Sequence, residues 1–194
     1  MAMCLAPWRS PLARALHRNR ALPNARYVQL ATVRANGCPA NRTVVFRGFG
    51  ADTNQLKFVT DARSEKAQQI QRSPWAEVCW YFPKTREQFR LAGCLTLVRS
   101  NETDIHLSQA RQQTWQELSD TARNQFAWPH PGQPRTTPHP FDGTVPDGIN
   151  PLPDFCLLLL DPERVDHLEL RGNPQNRQIY ALVDNTWMIT TVNP

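Results

Sequence analysis

Acidic residues are missing from the start of this chain: no Asp or Glu precedes Asp52, whereas eight arginines do. Lysine is scarce, with Lys57, Lys66 and Lys84 the only three. The net charge of +5, from 22 basic and 17 acidic residues, therefore rests largely on guanidinium groups. Cys4, Cys38, Cys79, Cys94 and Cys156 are odd in number and include no C-x-x-C pair, which argues against a disulfide framework and predicts reduced thiols in a reducing compartment. The five histidines are scattered too, so no zinc-type cluster is expected. No apolar run approaches the roughly 20 residues of a membrane span, and Phe155 to Leu160 is far too short.

What remains is a chain of 194 residues, 40% hydrophobic and 20% charged, long enough to bury a core as one domain, 1–194. Its basic bias fits a phosphorylated small molecule or a nucleic acid. The arginines alternate with apolar residues in a strand-like pattern instead of forming a continuous basic run, so a small molecule is the expected partner, with no nucleic acid and no membrane. The acid-free opening superficially resembles a transit peptide.

The pattern reads as mainly β, α+β overall. Ser10 to Arg20 places Leu12, Ala15 and Leu16 on one helix face, and Arg26 to Arg34 alternates as a strand. Asn36-Gly37, two residues tolerant of positive φ, predicts a hairpin to a second strand, Arg42 to Phe49. A third strand (Gln55 to Thr60), a helix (Ser64 to Arg72) and two paired strands (Trp75 to Phe82, Phe89 to Val98) follow. Glu102 to Phe126 carries two helical stretches. Residues 128–153 are dense in Pro and Gly, which excludes regular structure and suggests a lid or arm. Strands at Phe155 to Asp161, Arg164 to Arg171, Gln178 to Val183 and Thr186 to Val192 end the chain, the last two joined by Asp184-Asn185.

The chemistry concentrates at Arg42-Thr43-Val44-Val45-Phe46-Arg47 and at Phe58 to Lys66. In a strand Arg42, Val44 and Phe46 share one face and Thr43, Val45 and Arg47 the other. Ser64 stands where a helix begins, and Lys66 falls in its first turn, where a cation opposes the helix dipole unless an anion lies between them. One reading is a site for a phosphate carrying a flat ring. The other is a basic-flanked strand followed by an ordinary capped helix.

These two runs, with Gln88-Phe89-Arg90-Leu91-Ala92-Gly93, resemble three successive flavin-binding motifs of the pyridoxamine 5'-phosphate oxidase family. Ala6-Pro7-Trp8-Arg9-Ser10-Pro11-Leu12 and Gln29-Leu30-Ala31-Thr32-Val33 are similar to a cyanobacterial and plant branch of FMN-binding relatives. Because this likeness begins within the first twenty residues, they are expected to belong to the fold, and a cytoplasmic protein is expected. The resemblance implies a split β-barrel with flanking helices, binding FMN as a homodimer with sites at the interface. It implies FMN contacts from Arg42 to Arg47, from Val59, Thr60, Ser64 and Lys66, from Gln88 and His167, and from Arg177 contributed across the interface. The implied reaction moves a hydride from a substrate amine carbon to flavin, with O2 as acceptor, giving aldehyde, ammonia and peroxide. A flavin reductase, a non-catalytic FMN-binding module and a basic nucleic-acid-binding barrel are the alternatives.

Departures from the family pattern concern charge. Glu65 replaces a basic residue, so the missing phosphate cation is assigned to Arg63. Asn173 and Gln175 replace an Arg-x-His substrate pair, and Thr191 replaces an Arg near the end. Arg47 stands where the oxidases hold substrate phosphate with Lys. Arg123, with Phe126 and Trp128, is a further substrate-side candidate beside its plainer role as a packed helix end.

Overall fold

The computed structural model describes residues 5–135, 141 and 143–194; Cys4 and part of the Pro/Gly-rich loop lie outside them. Helix α1 (Arg9–Asn19) buries Leu12 and Ala15. Strands β1 (Tyr27–Val33) and β2 (Pro39–Val45) form the predicted hairpin, pairing from Tyr27 with Val45 to Val33 with Pro39, and Gly37 takes φ +82° in its turn.

The second strand is shorter than its sequence suggests because the chain changes partner at Phe46 and Arg47. The Phe46 amide donates to the Arg26 carbonyl, next to β1, and the Arg47 amide donates to the Lys57 carbonyl (both 2.8 Å). Gly48, at φ +120°, then opens β3 (Gly48–Phe49), which pairs with β4 (Leu56–Asp61). This switch joins the two ends of the sheet, whose order is β2-β1-β5-β6-β7-β4-β3, with β5 Trp75–Phe82, β6 Glu87–Val98 and β7 Phe155–Glu169. Strands β8 (Asn176–Val183) and β9 (Thr186–Val192) extend from β7 as a hairpin, turned by Asp184 and Asn185 at φ 47° and 60°. The result is a split β-barrel flanked by helices.

Two expected strands around Pro162 are one. Strand β7 continues because its neighbour changes there: β4 pairs with Phe155 to Leu160, from Asp61 opposite Phe155 to Leu56 opposite Leu160, and β8 pairs from Arg164 onward. The proline's missing N–H thus falls between two partners. On the other side β6 absorbs the irregularity in a register shift at Ala92 and Gly93. A Cβ on Gly93 would lie 1.9 Å from the Asp161 carbonyl oxygen, so a side chain has no room there.

Alternate leucines of β7 serve opposite faces, which explains the continuous apolar run. Leu158 and Leu160 join Phe46, Phe58, Trp80, Phe82 and Phe89 inside the barrel. Leu157 and Leu159 pack against α3 (Ile105–Gln116) through Leu107 and Ala110. Beyond α3, helix α4 (Asp120–Asn124) and the 3-10 turn Gln125–Ala127 are held over the barrel by Trp115, Phe126 and Phe155, whose rings meet at 5.0 to 5.9 Å. Among the described residues no helix is long and apolar enough to cross a membrane.

Candidate functional site

Between the barrel wall and the α4 segment lies a cavity of about 620 Å³. Strand β2 and its continuation supply Arg42, Thr43, Val44, Val45 and Arg47, β4 supplies Val59 and Thr60, and α2 (Glu65–Arg72) supplies Lys66. Phe126, Trp128 and Pro131 line the opposite side, so the described start of the Pro/Gly-rich segment borders the cavity.

The floor of the cavity is cationic. Lys66 donates to Thr60 Oγ1 at 2.8 Å and to Ser64 Oγ at 3.4 Å. Ser64 precedes α2 with the extended backbone of a cap, but its hydroxyl donates backwards to the Asp61 carbonyl at 2.7 Å. Arg42 is oriented by the Leu30 carbonyl (3.2 Å), Thr32 Oγ1 (2.6 Å) and Gln69 Oε1 (3.0 Å). Burial, and then the Arg42 charge, hold the Lys66 ammonium below its ordinary pKa. Burial likewise lowers Arg42. Arg47 is lowered by burial and by the Arg26 charge, and its buried Nε finds no hydrogen-bond acceptor among the described residues. The acid in the lining, Asp61, is already engaged by Arg63.

Arg63, expected to face a phosphate, is already engaged by other groups. Its guanidinium pairs with Asp61 (2.7 Å) and Asp154 (3.2 Å) and donates to the carbonyls of Phe126 and Trp128 (3.3 and 3.1 Å). Arg63 is a clasp that fastens that stretch to the barrel. Glu65 faces away from the cavity, toward Arg34 at 3.3 Å. The Phe46 ring points into the core, 4.8 Å from Trp80, and Phe46 does not line the cavity. Arg123 is likewise spent structurally, on Asp120 and on the carbonyls of Leu118 and Trp115. Asn173 is exposed in the turn before β8, and Gln175 is half-buried there; neither lines the cavity.

Gln88, His167 and Arg177 lie elsewhere on the barrel and divide between its faces. Gln88 stands opposite Leu168, which stands opposite Arg177, so both polar side chains share one face. Arg177 is held there by both Asp166 oxygens, at 3.0 and 2.7 Å. His167, one residue from Leu168, points to the other face. Its ring is 3% exposed, stacks on Phe89 at 4.0 Å and donates from Nε2 to Glu87 at 2.9 Å. His167 is thus buried and hydrogen-bonded within its own chain. The same pairing gathers Glu87, His167 and Glu169 with ligand atoms within 4.8 Å, a grouping that residues 80 positions apart conceal in sequence.

Tyr27, Thr32 and Gln69 were not singled out by the sequence. Gln69 alone carried a signal, since it stands one helical turn after Glu65.

An anion held by Lys66 needs the protonated amine. Affinity for FMN is therefore expected to fall as pH rises through the depressed Lys66 pKa, below its ordinary 10.5, while affinity for riboflavin, which lacks the phosphate, stays flat. Ligand-free protein has the opposite trend: between those two pKa values the unfolded chain binds more protons, so stability rises with pH. Flavin-fluorescence titrations over that range measure both affinities, and a parallel decline for riboflavin would remove Lys66 from the phosphate end.

Residues 5–99 match the family model for the pyridoxamine 5'-phosphate oxidase FMN-binding domain. Over its whole length the chain is 36% identical to pyridoxine/pyridoxamine 5'-phosphate oxidase 2 of Arabidopsis thaliana, covering 100% of that protein. A pyridoxamine 5'-phosphate oxidase-related, FMN-binding protein of Nostoc punctiforme has a similar solved structure, with TM-score 0.96 and 62% identity over 99% of this chain and 100% of that one. PhzG from Burkholderia lata, solved with tetrahydrophenazine-1-carboxylic acid, shares the fold at TM-score 0.80 and 17% identity, covering 100% of this chain and 99% of its own.

Proposed function

Because this chain belongs to the pyridoxamine 5'-phosphate oxidase FMN-binding family, we propose that it is an FMN-dependent oxidoreductase acting on a small phosphorylated or otherwise anionic substrate. Pyridoxamine or pyridoxine 5'-phosphate is the first candidate. The observation that carries this reading is the pairing of Arg42 and Lys66 in one cavity, each depressed by burial and Lys66 further by Arg42. Two cations kept this close are stabilised by an anion between them. The cavity's size suits a nucleotide-sized ligand, and Val44, Val45 and Val59 provide apolar wall for a flat ring.

FMN bound there would supply the redox chemistry, taking two electrons from one substrate and passing them to another. The chain's own part is to neutralise the phosphate with Arg42 and Lys66, orient it with the Thr60 hydroxyl, and exclude water with Phe126 and Trp128. Arg47, with an unpartnered buried Nε, is suited to an anionic group of the substrate. Asn173 and Gln175 lie outside this cavity and carry no charge, so grip on a substrate phosphate would rest more heavily on Arg47.

The working unit is proposed to be a homodimer. Met188 and Ile189 are 56% and 50% exposed and, as neighbours in β9, point to opposite faces, so both sides of the β8–β9 hairpin present apolar surface. Gln88 and Arg177, remote from their own cavity, are proposed to complete the partner's.

Anaerobic reduction tests the activity. FMN-loaded protein is expected to bleach with pyridoxamine 5'-phosphate and regain colour in air. Bleaching only with a nicotinamide donor would replace the oxidase by a flavin reductase, and no bleaching with either would leave an FMN-binding module.

A further inference from the structure

We infer that Glu65 is a positioning residue: acting through Gln69, its carboxylate fixes the Arg42 guanidinium at the phosphate end of the cavity. This rests on the FMN reading above and explains why an acid can occupy a helix start beside a phosphate.

The chain of contacts runs from surface to cavity. Arg34 Nε donates to Glu65 Oε1 at 3.3 Å, and the same oxygen accepts from Gln69 Nε2 at 2.7 Å. Gln69 is 4% exposed, and its Oε1 accepts from Thr32 Oγ1 at 2.5 Å and from Arg42 Nη2 at 3.0 Å. Thr32 Oγ1 in turn accepts from Arg42 Nη1 at 2.6 Å. Amide direction is determined at both ends: a carboxylate only accepts and a guanidinium only donates, so Gln69 must show its NH₂ to Glu65 and its oxygen to Arg42. Without an acceptor at position 65, that orientation loses its outer anchor. A donor there would favour the reverse, turning NH₂ toward a guanidinium that can only donate.

Glu65 is the member to test, because its side chain is 67% exposed and can be changed without opening the core. Glu65→Lys removes the acceptor and Glu65→Gln keeps one. If position 65 acted on the phosphate simply by charge, both changes would tighten FMN, and the lysine more. Positioning through Gln69 gives the opposite sign. Glu65→Lys is expected to weaken FMN about tenfold, as for loosening one charge-assisted hydrogen bond, while Glu65→Gln stays within about threefold. Riboflavin affinity should hold in both, since Arg42 would act at the phosphate; the urea midpoint of the ligand-free protein should hold for Glu65→Gln and fall slightly for Glu65→Lys, which sets a cation beside Arg34 in the first turn of α2.

Glu65→Lys binding FMN as tightly as wild type, or more tightly, overturns the inference. So does a parallel loss of riboflavin and FMN, which would indicate general damage to α2. If wild-type protein itself fails to bind FMN at micromolar concentration, the cofactor reading falls first and this inference with it.

Discussion

Replacing both Arg42 and Lys66 with methionine is expected to leave protein that folds, purifies colourless and no longer retains FMN. Each cation can make a charge-assisted hydrogen bond to phosphate, of the kind worth about 1.5–3 kcal/mol. Two such bonds amount to about 3–6 kcal/mol, or roughly two to four orders of magnitude in Kd. The single variants should each lose about 10- to 100-fold. Their effects should not simply add, because Arg42 depresses Lys66 in the ligand-free protein and removing either relieves that repulsion. For the same reason Lys66→Met should fold at least as stably as wild type without ligand, since a buried ammonium has been replaced by an apolar chain of similar length. Riboflavin is the control, as it carries the ring without the phosphate. FMN and riboflavin affinities by fluorescence quenching, with urea midpoints alongside, decide the matter: a double variant that binds FMN within tenfold of wild type would show that this cavity is not where the phosphate sits.

The route from sequence to this site was legible wherever local chemistry was sufficient. Asn36-Gly37 and Asp184-Asn185 announce their turns because few residues tolerate positive φ, and β2 with the start of α2 shows its cations in the motif itself. What stayed hidden depends on which partner a side chain chooses. Arg63 looks as available as Lys66 in sequence, yet Asp61 two residues earlier and Asp154 just before β7 engage it. Pro162 looks like a strand end, because only the sheet order shows that its missing N–H lies between one neighbour and the next. Glu65 looks like a misplaced charge until Gln69 and Arg42 are seen beyond it. His167 sits in a flavin-motif position, but strand register decides its face, and one residue of difference sends it inside while Arg177 and Gln88 share the other side.

That division leads to the second large effect, which tests whether a site is shared between two copies. In one chain Arg42→Met with Lys66→Met would damage the cavity; in another, Gln88→Ala with Arg177→Ala would damage the face proposed to complete a partner's cavity. Homodimers of either type should be poor in FMN, because every site carries a defect. In a heterodimer isolated by two different tags, one site combines both defects, while the other joins an intact cavity to an intact Gln88 and Arg177. It should therefore hold about one FMN per dimer against about two in wild type, measured by flavin absorbance per protein mass at FMN roughly tenfold above the wild-type Kd. Were Gln88 and Arg177 to serve the cavity of their own chain, every site in the heterodimer would be broken and the flavin would be lost. The substitution at Arg177 leaves Asp166 within 3.7 Å of Arg90, so the carboxylate keeps a partner and the variant should fold. A heterodimer as empty as its parents, or a wild-type protein that sediments as a monomer while retaining FMN, would place the whole site within a single chain.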